Sequence, residues 1–250
     1  MKGMQLRPIS EINHQGTSPL PPGTEESDWR SPLADEIARL EQAGNTADDW
    51  ADVRFRAEIP FSRIRNCRFH GPVFIGNFSP SILEYHDLSL PVGLYDSTFA
   101  SCHLGDDIAV HNVSYMARTR VEPRCLLFNI NEMITTDHSK FGNGVVMDGE
   151  DEDVRIWLEV ANENGGRKVL PFNGMLPADA WIWSRFRTDR ELLNRFMEFT
   201  SRIRPSRRGD YGEIGTGSVV KDCRILKDVK IGPAAYIKGC NKLKNLTINS

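Results

Sequence analysis

No stretch of the 250 residues carries the roughly 18 consecutive apolar side chains of a membrane-spanning helix. The N-terminus, Met1 to Pro8, lacks the apolar core of a secretory signal, so a cytoplasmic location is expected. Cysteine is sparse: Cys67, Cys102, Cys125, Cys223 and Cys240 are odd in number and widely spaced, and no CxxC occurs. That pattern excludes a disulfide framework and a zinc ribbon. There is no GxGxxG, and Gly142-Asn143-Gly144 and Gly215-Thr216-Gly217 lack the strand, lysine and helix that make a phosphate loop. The acidic run from Asp148 to Asp153 does not fit the spacing of a calcium loop, so no metal site is expected and no cofactor is identified. The net charge of −3 makes no demand for nucleic acid or an anionic membrane.

What is present suits a folded chain rich in turns. Apolar residues make up 40%, and there are 20 Gly and 14 Pro. Charge is divided unevenly. Residues 1–60 hold 11 acidic and 6 basic groups, whereas residues 185–208 hold eight Arg against three acids. Residues 1–31 are rich in Pro, Ser, Thr and Gly and read as a mobile extension. Residues 32–59 read as a helical cap: Ser31 as cap, Pro32 in the first turn, Leu33, Ile37 and Leu40 as the stripe, and a second helix start at Thr46-Ala47-Asp48-Asp49.

A repeat then dominates. A turn-former, a small or β-branched residue, any residue and a large apolar residue recur at Asn66-Cys67-Arg68-Phe69, Ser101-Cys102-His103-Leu104, Asp222-Cys223-Arg224-Ile225 and Asp228-Val229-Lys230-Ile231. Val219, Ile225, Ile231, Ile237 and Leu243 make an unbroken series of sixes. Leu104, Val110 and Met116 make another, and Val121, Leu127 and Met133 a third, one residue out of phase. A short strand plus a corner per hexad predicts a parallel β-solenoid over residues 60–147, resumed over 212–250. Between them, residues 148–211 lose the period and predict an α/β insertion. Its parts are a strand through Val154, Ile156, Leu158 and Val160, a return strand from Arg167 to Phe172, and two helices, the second opening at Thr188-Asp189-Arg190-Glu191.

Leu40 to Gly44 with Asp49-Trp50, Leu127 to Met133, Lys140 to Gly144, Asn162 to Phe172, Gly174 to Ala180, Tyr236 to Gly239 and Asn241 to Ser250 together resemble one family. It is a domain-of-unknown-function group of long hexapeptide-repeat proteins, often labelled as related to UDP-N-acetylglucosamine pyrophosphorylase. The resemblance covers residues 36–250 and implies a mainly β, left-handed parallel β-helix of the trimeric-transferase kind, with a homotrimer as its assembly. It supplies no reaction. Handedness comes from the resemblance alone, since parallel crossovers are ordinarily right-handed. The extension is longer than the family suggests, and Cys240 stands where a smaller residue is expected. The series stops in mid-repeat at Ile248-Asn249-Ser250, so the chain is expected to be the N-terminal part of a longer protein.

His138, at a corner where the chain leaves the solenoid, is the first candidate for a catalytic base, with Glu132 to orient it; hexapeptide acyltransferases resemble this in using a corner histidine. The plainer reading is a corner histidine bonded to backbone. Asn129 and Asn131 alternate with apolar residues and suit sugar hydroxyls, or simply stack as turn residues between coils. Arg155, Arg167, Lys168 and Arg185 suit a phosphate, or pair with the acidic run. His103 and His111 read as surface histidines, and Trp181 and Trp183 as core. Two functions stay open. One is a transferase acting on a phosphorylated sugar, sugar nucleotide or acyl donor. The other is a non-catalytic module for carbohydrate binding or oligomerisation.

Overall fold

The computed structural model describes residues 20–56, 58–142, 144, 146–147, 149–160, 165–172, 174–202 and 211–249. Two compact units emerge: one holds the chain up to Thr135 with Tyr211–Lys244 and Ile248 onward, the other Thr136–Asp210 with Asn245–Thr247.

The first unit is mainly β, and its strands pair in parallel with partners one circuit later. Ala109 lies beside Leu126, and Val219 beside Tyr236, a step of 17 residues each time. Leu126 lies beside Val219, so the register resumes across the whole second unit. Each circuit has three short runs. One column of runs is Val53–Phe55, Val73–Ile75, His103–Leu104, Thr119–Val121 and Gly212–Ile214. A second stacks Ile64–Arg65, Gly93–Tyr95 and the starts of Ala109–Ala117, Leu126–Ile134 and Val219–Ile231, then Tyr236–Lys238. The third stacks Thr46–Ala47, Arg68–His70, Thr98–Ala100 and the ends of Ala109–Ala117 and Leu126–Ile134.

The 17-residue circuit corrects the unbroken series of sixes. The buried series is Leu104, Val110, Met116, Val121, Leu127, Met133, then Ile214, Val220, Leu226, Ile231 and Ile237. Its steps are six, six and five. The one-residue phase slip at Val121 is therefore the normal reset at one corner. The same reset hands the interior position from Ile225, which is half-exposed, to Leu226. Val219 points to the other side of the strand from Val220, as strand alternation requires, and is buried there by a different element.

Corners are built from left-handed backbone. Asn66, Asp96, Asn112, Asn129 and Asp222 occupy one column with φ from 50° to 55°. Asn and Asp tolerate that conformation better than other residues with a Cβ. Ser101 and Arg118 mark the second column; Asp107, Arg124, Gly217 and Ala234 mark the third. The residue after the left-handed position of a corner turns inward and is small or β-branched. All five cysteines stand there, directly after Asn66, Ser101, Arg124, Asp222 and Gly239. Thiols of Cys67, Cys102 and Cys223 donate to the carbonyl two residues back at 3.3–3.4 Å, and the Ser97 and Thr119 hydroxyls do the same at 2.7 and 3.1 Å. The carbonyls of Arg65, Ala100, Ala117 and Lys221 also accept a backbone amide from the next coil, so the side-chain bond there is a second one, and a weak one where the donor is a thiol.

Two excursions decorate this unit. A hairpin, Ile82–Tyr85 with Leu88–Pro91, lays Leu83, Tyr85, Leu88 and Leu90 on Ala109, Leu126, Val219 and Phe128. At the N-terminal end, Trp29 caps Phe74 edge-on at 5.1 Å, and Arg30 exchanges two backbone hydrogen bonds with Phe55. Most of the expected extension, residues 1–19, lies outside the described residues.

The first expected helix is α1, Ala34–Gln42, but it starts later than Pro32 suggests. The Glu36 carboxylate accepts from the Leu33 amide at 2.8 Å and grips the Arg30 guanidinium with both oxygens, while the Ser31 hydroxyl donates instead to Ala51. The expected second helix is a strand pair and a single 3-10 turn. The Thr46 amide joins Cys67 in the ladder, and Asp49 accepts from the Ala51 amide, which closes only one turn over Trp50–Asp52.

The second unit has Leu158–Glu159 antiparallel to Lys168–Val169, and two helices, α2 (Pro177–Arg185) and α3 (Arg190–Arg202). Asp189 caps α3 by accepting from the Leu192 amide at 3.0 Å. The core is Val169, Leu170, Trp183 and Phe196, with Trp183 stacked on Phe196 at 4.8 Å. Trp181, expected beside Trp183 in the core, is exposed: the helical turn carries neighbouring residues to opposite sides.

Candidate functional site

The sequence-selected residues fall into both units. In the first, Asn129 is an exposed corner residue whose side chain accepts from Asn112 at 3.1 Å and donates to Asp222 at 2.9 Å. Asn131 is exposed on the same strand, and Glu132 is half-buried between its register partners Tyr115 and Ile225. In the second unit, His138 Nδ1 donates to Asp137 Oδ1 at 2.9 Å, leaving Nε2 as the side able to accept a proton; the side chains are 72% and 85% exposed. Arg155 is buried, with its fork closed on both Glu152 oxygens at 2.7 and 2.8 Å and its remaining arm on the Gly144 carbonyl. The same pairing holds the Glu152 carboxyl below its ordinary range. Arg167 offers its backbone amide to Glu159, Lys168 is an exposed strand residue, and Arg185 is exposed in the last turn of α2.

The two histidines read as surface residues are held by rings. His103 is buried, edge-on to Phe74 at 5.2 Å and stacked under Tyr211 at 4.7 Å. His111 stacks on Tyr95 at 4.4 Å and donates Nε2–H to the Pro91 carbonyl at 2.9 Å. Burial holds its pKa below the usual 6.5, so the ring stays neutral and pins the end of the hairpin.

The hairpin tip brings together residues that the sequence did not single out. His86 takes the left-handed turn position, with φ 52°. Its ring stands perpendicular to Tyr85 at 4.4 Å, and Tyr236 lies 4.8 Å from Tyr85 and 6.2 Å from His86. Lys221 runs beneath the hairpin with only 9% of its side chain exposed, and its ammonium sits 3.8 Å from the Asp87 carboxylate, which is itself 91% exposed. At that separation there is an ion pair without a hydrogen bond. A largely desolvated ammonium held this loosely favours any anion that can approach more closely. The local signal was the alternation of Leu83, Tyr85, Leu88 and Leu90 around His86-Asp87, which marks a hairpin; Lys221 and Tyr236 join it only through the 17-residue register.

The residues from 29 to 250 match the family described as a domain of unknown function, DUF4954. The chain belongs to that family. A relative from Treponema pallidum (strain Nichols), titled an uncharacterized protein, is 45% identical over 222 residues. That alignment takes in 89% of this chain and 31% of the relative, so the chain spans about a third of the relative's length. No described helix is long and apolar enough to cross a membrane.

Proposed function

We propose that this DUF4954 chain binds a phosphorylated sugar at the hairpin tip. Tyr85, His86 and Tyr236 offer ring faces and polar edges to the sugar, and the Lys221 ammonium takes the phosphate, displacing the loose contact with Asp87. The observation that carries this reading is the Lys221–Asp87 pair, a buried cation with an exposed acid 3.8 Å away, set beside three clustered rings. Titration calorimetry with a hexose phosphate and the parent hexose tests it. The phosphate ester is expected to bind more tightly, and Lys221→Met to erase the difference. Equal binding of both sugars by the unaltered chain defeats the reading.

A second reading places transferase chemistry on a sugar phosphate, sugar nucleotide or acyl donor in the second unit. Its support is the His138–Asp137 couple, a histidine already oriented by a carboxylate at 2.9 Å. It expects His138→Ala to abolish turnover with the fold intact. The resemblance to hexapeptide-repeat transferases further supports a left-handed coil and a homotrimer; sedimentation of the purified chain tests the trimer.

A further inference from the structure

The corner column that begins at Cys67 continues through Ser97, Val113, Ile130, Cys223 and Cys240. Cys223 and Cys240 are stacked directly: Lys221 pairs with Lys238, and the Arg224 amide donates to the Cys240 carbonyl at 2.9 Å. The other cysteines face different partners, with Ser97 above Cys67, Thr119 above Cys102 and Ser218 above Cys125. Adjacent strands run about 4.8 Å apart, inside the roughly 4.4–6.8 Å that a disulfide spans between Cα atoms. Cys223 is buried and Cys240 half-buried, so one thiol is reachable and the other waits behind it.

From this juxtaposition we infer that Cys223 and Cys240 form a reversible dithiol–disulfide site that clasps the last two coils when the chain meets a small-molecule disulfide. The Cys240 thiolate attacks glutathione disulfide; a bond forms from its sulfur to one glutathione sulfur, the glutathione S–S bond breaks, and one glutathione thiol leaves. The Cys223 thiolate then attacks the Cys240 sulfur and expels the second glutathione thiol. The protein pair is oxidised by two electrons, the glutathione disulfide is reduced, and the two protein thiol protons finish on the two glutathione thiols. Burial holds the Cys223 thiol above its ordinary pKa, so the second step quickens as pH rises.

The test is native incubation of the whole chain with oxidised glutathione, alkylation of the remaining thiols, and tryptic mass mapping. The expected product is the peptide Asp222–Arg224 linked to Gly239–Lys242, with Cys67, Cys102 and Cys125 unlinked. Cys223→Ser removes the second nucleophile and keeps the corner, since Ser97 fills the equivalent place and makes the equivalent bond. That variant is expected to halt as a glutathione adduct on Cys240. An unaltered chain that also halts as that adduct, or one in which Cys240 takes up no glutathione, overturns the inference.

Discussion

Asn129 donates its side-chain amide to the Asp222 carboxylate at 2.9 Å, although 93 positions separate them in sequence. This bond joins the coil before the second unit to the coil after it. Asn129→Ala loses that bond and the one from Asn112, and places a residue less suited to φ 55° at the corner. A loss of about 1–2 kcal/mol in urea unfolding is expected. Asn129→Gly keeps the conformation and is expected to lose about half as much. Equal losses from the two variants contradict the conformational part of the explanation.

Gly215 packs against the next coil. A Cβ there would lie 2.5 Å from both the Gly232 carbonyl carbon and the Pro233 nitrogen, and neither backbone atom can swing aside. Gly215→Ala is expected to destabilise by about 1–3 kcal/mol as overpacking. Gly217, two residues on, has φ 71° and open space around it, so Gly217→Asn is expected to cost little. Paired thermal melts of the two variants separate crowding from conformation.

The buried corner thiols make the fold alkali-sensitive. Burial pushes Cys67, Cys102 and Cys125 from the ordinary 9.0 up to about 12. The unfolded chain therefore releases these protons first. Their contribution is fully present below pH 9 and is lost as pH rises toward about 12. The expected slope is about 1.4 kcal/mol per pH unit for each thiol. Urea midpoints at a series of alkaline pH values check it, and Cys102→Ser is expected to shallow the slope.

His111 acts in the opposite direction. Its folded pKa lies below the ordinary 6.5, so its contribution is present above that value and is lost as pH falls through the lowered one. Protonation opposes the buried stack on Tyr95 beneath the hairpin end. Following the His111 ring by NMR is expected to give a midpoint below that of an exposed histidine, with the Pro91 end of the hairpin exchanging faster in acid. A midpoint at or above the ordinary value contradicts this.

Much of the coil was legible because large and small residues recur at fixed spacing. The five-residue step was visible as the phase slip at Val121, but a series through Val219 and Ile225 looks equally regular until the structure shows which face points inward. Asp49 misled for a local reason: an acid ahead of Trp50 caps one 3-10 turn as well as a helix. Corner asparagines could be read as stacking residues from type alone. The hairpin tip could not, because Lys221 and Tyr236 are 134 and 150 positions beyond Asp87 and His86, and only coil register brings them together. Insert residues such as Arg155 were readable as cations, while their partners depended on folding.

Amide and ring chemical-shift mapping with a hexose phosphate tests the proposed binding site most directly. The expected result is a set of shifts centred on Tyr85, His86, Lys221 and Tyr236 that disappears in Lys221→Met while the hairpin signals remain. Shifts centred instead on His138 and Arg167, or none at saturating hexose phosphate, would contradict it.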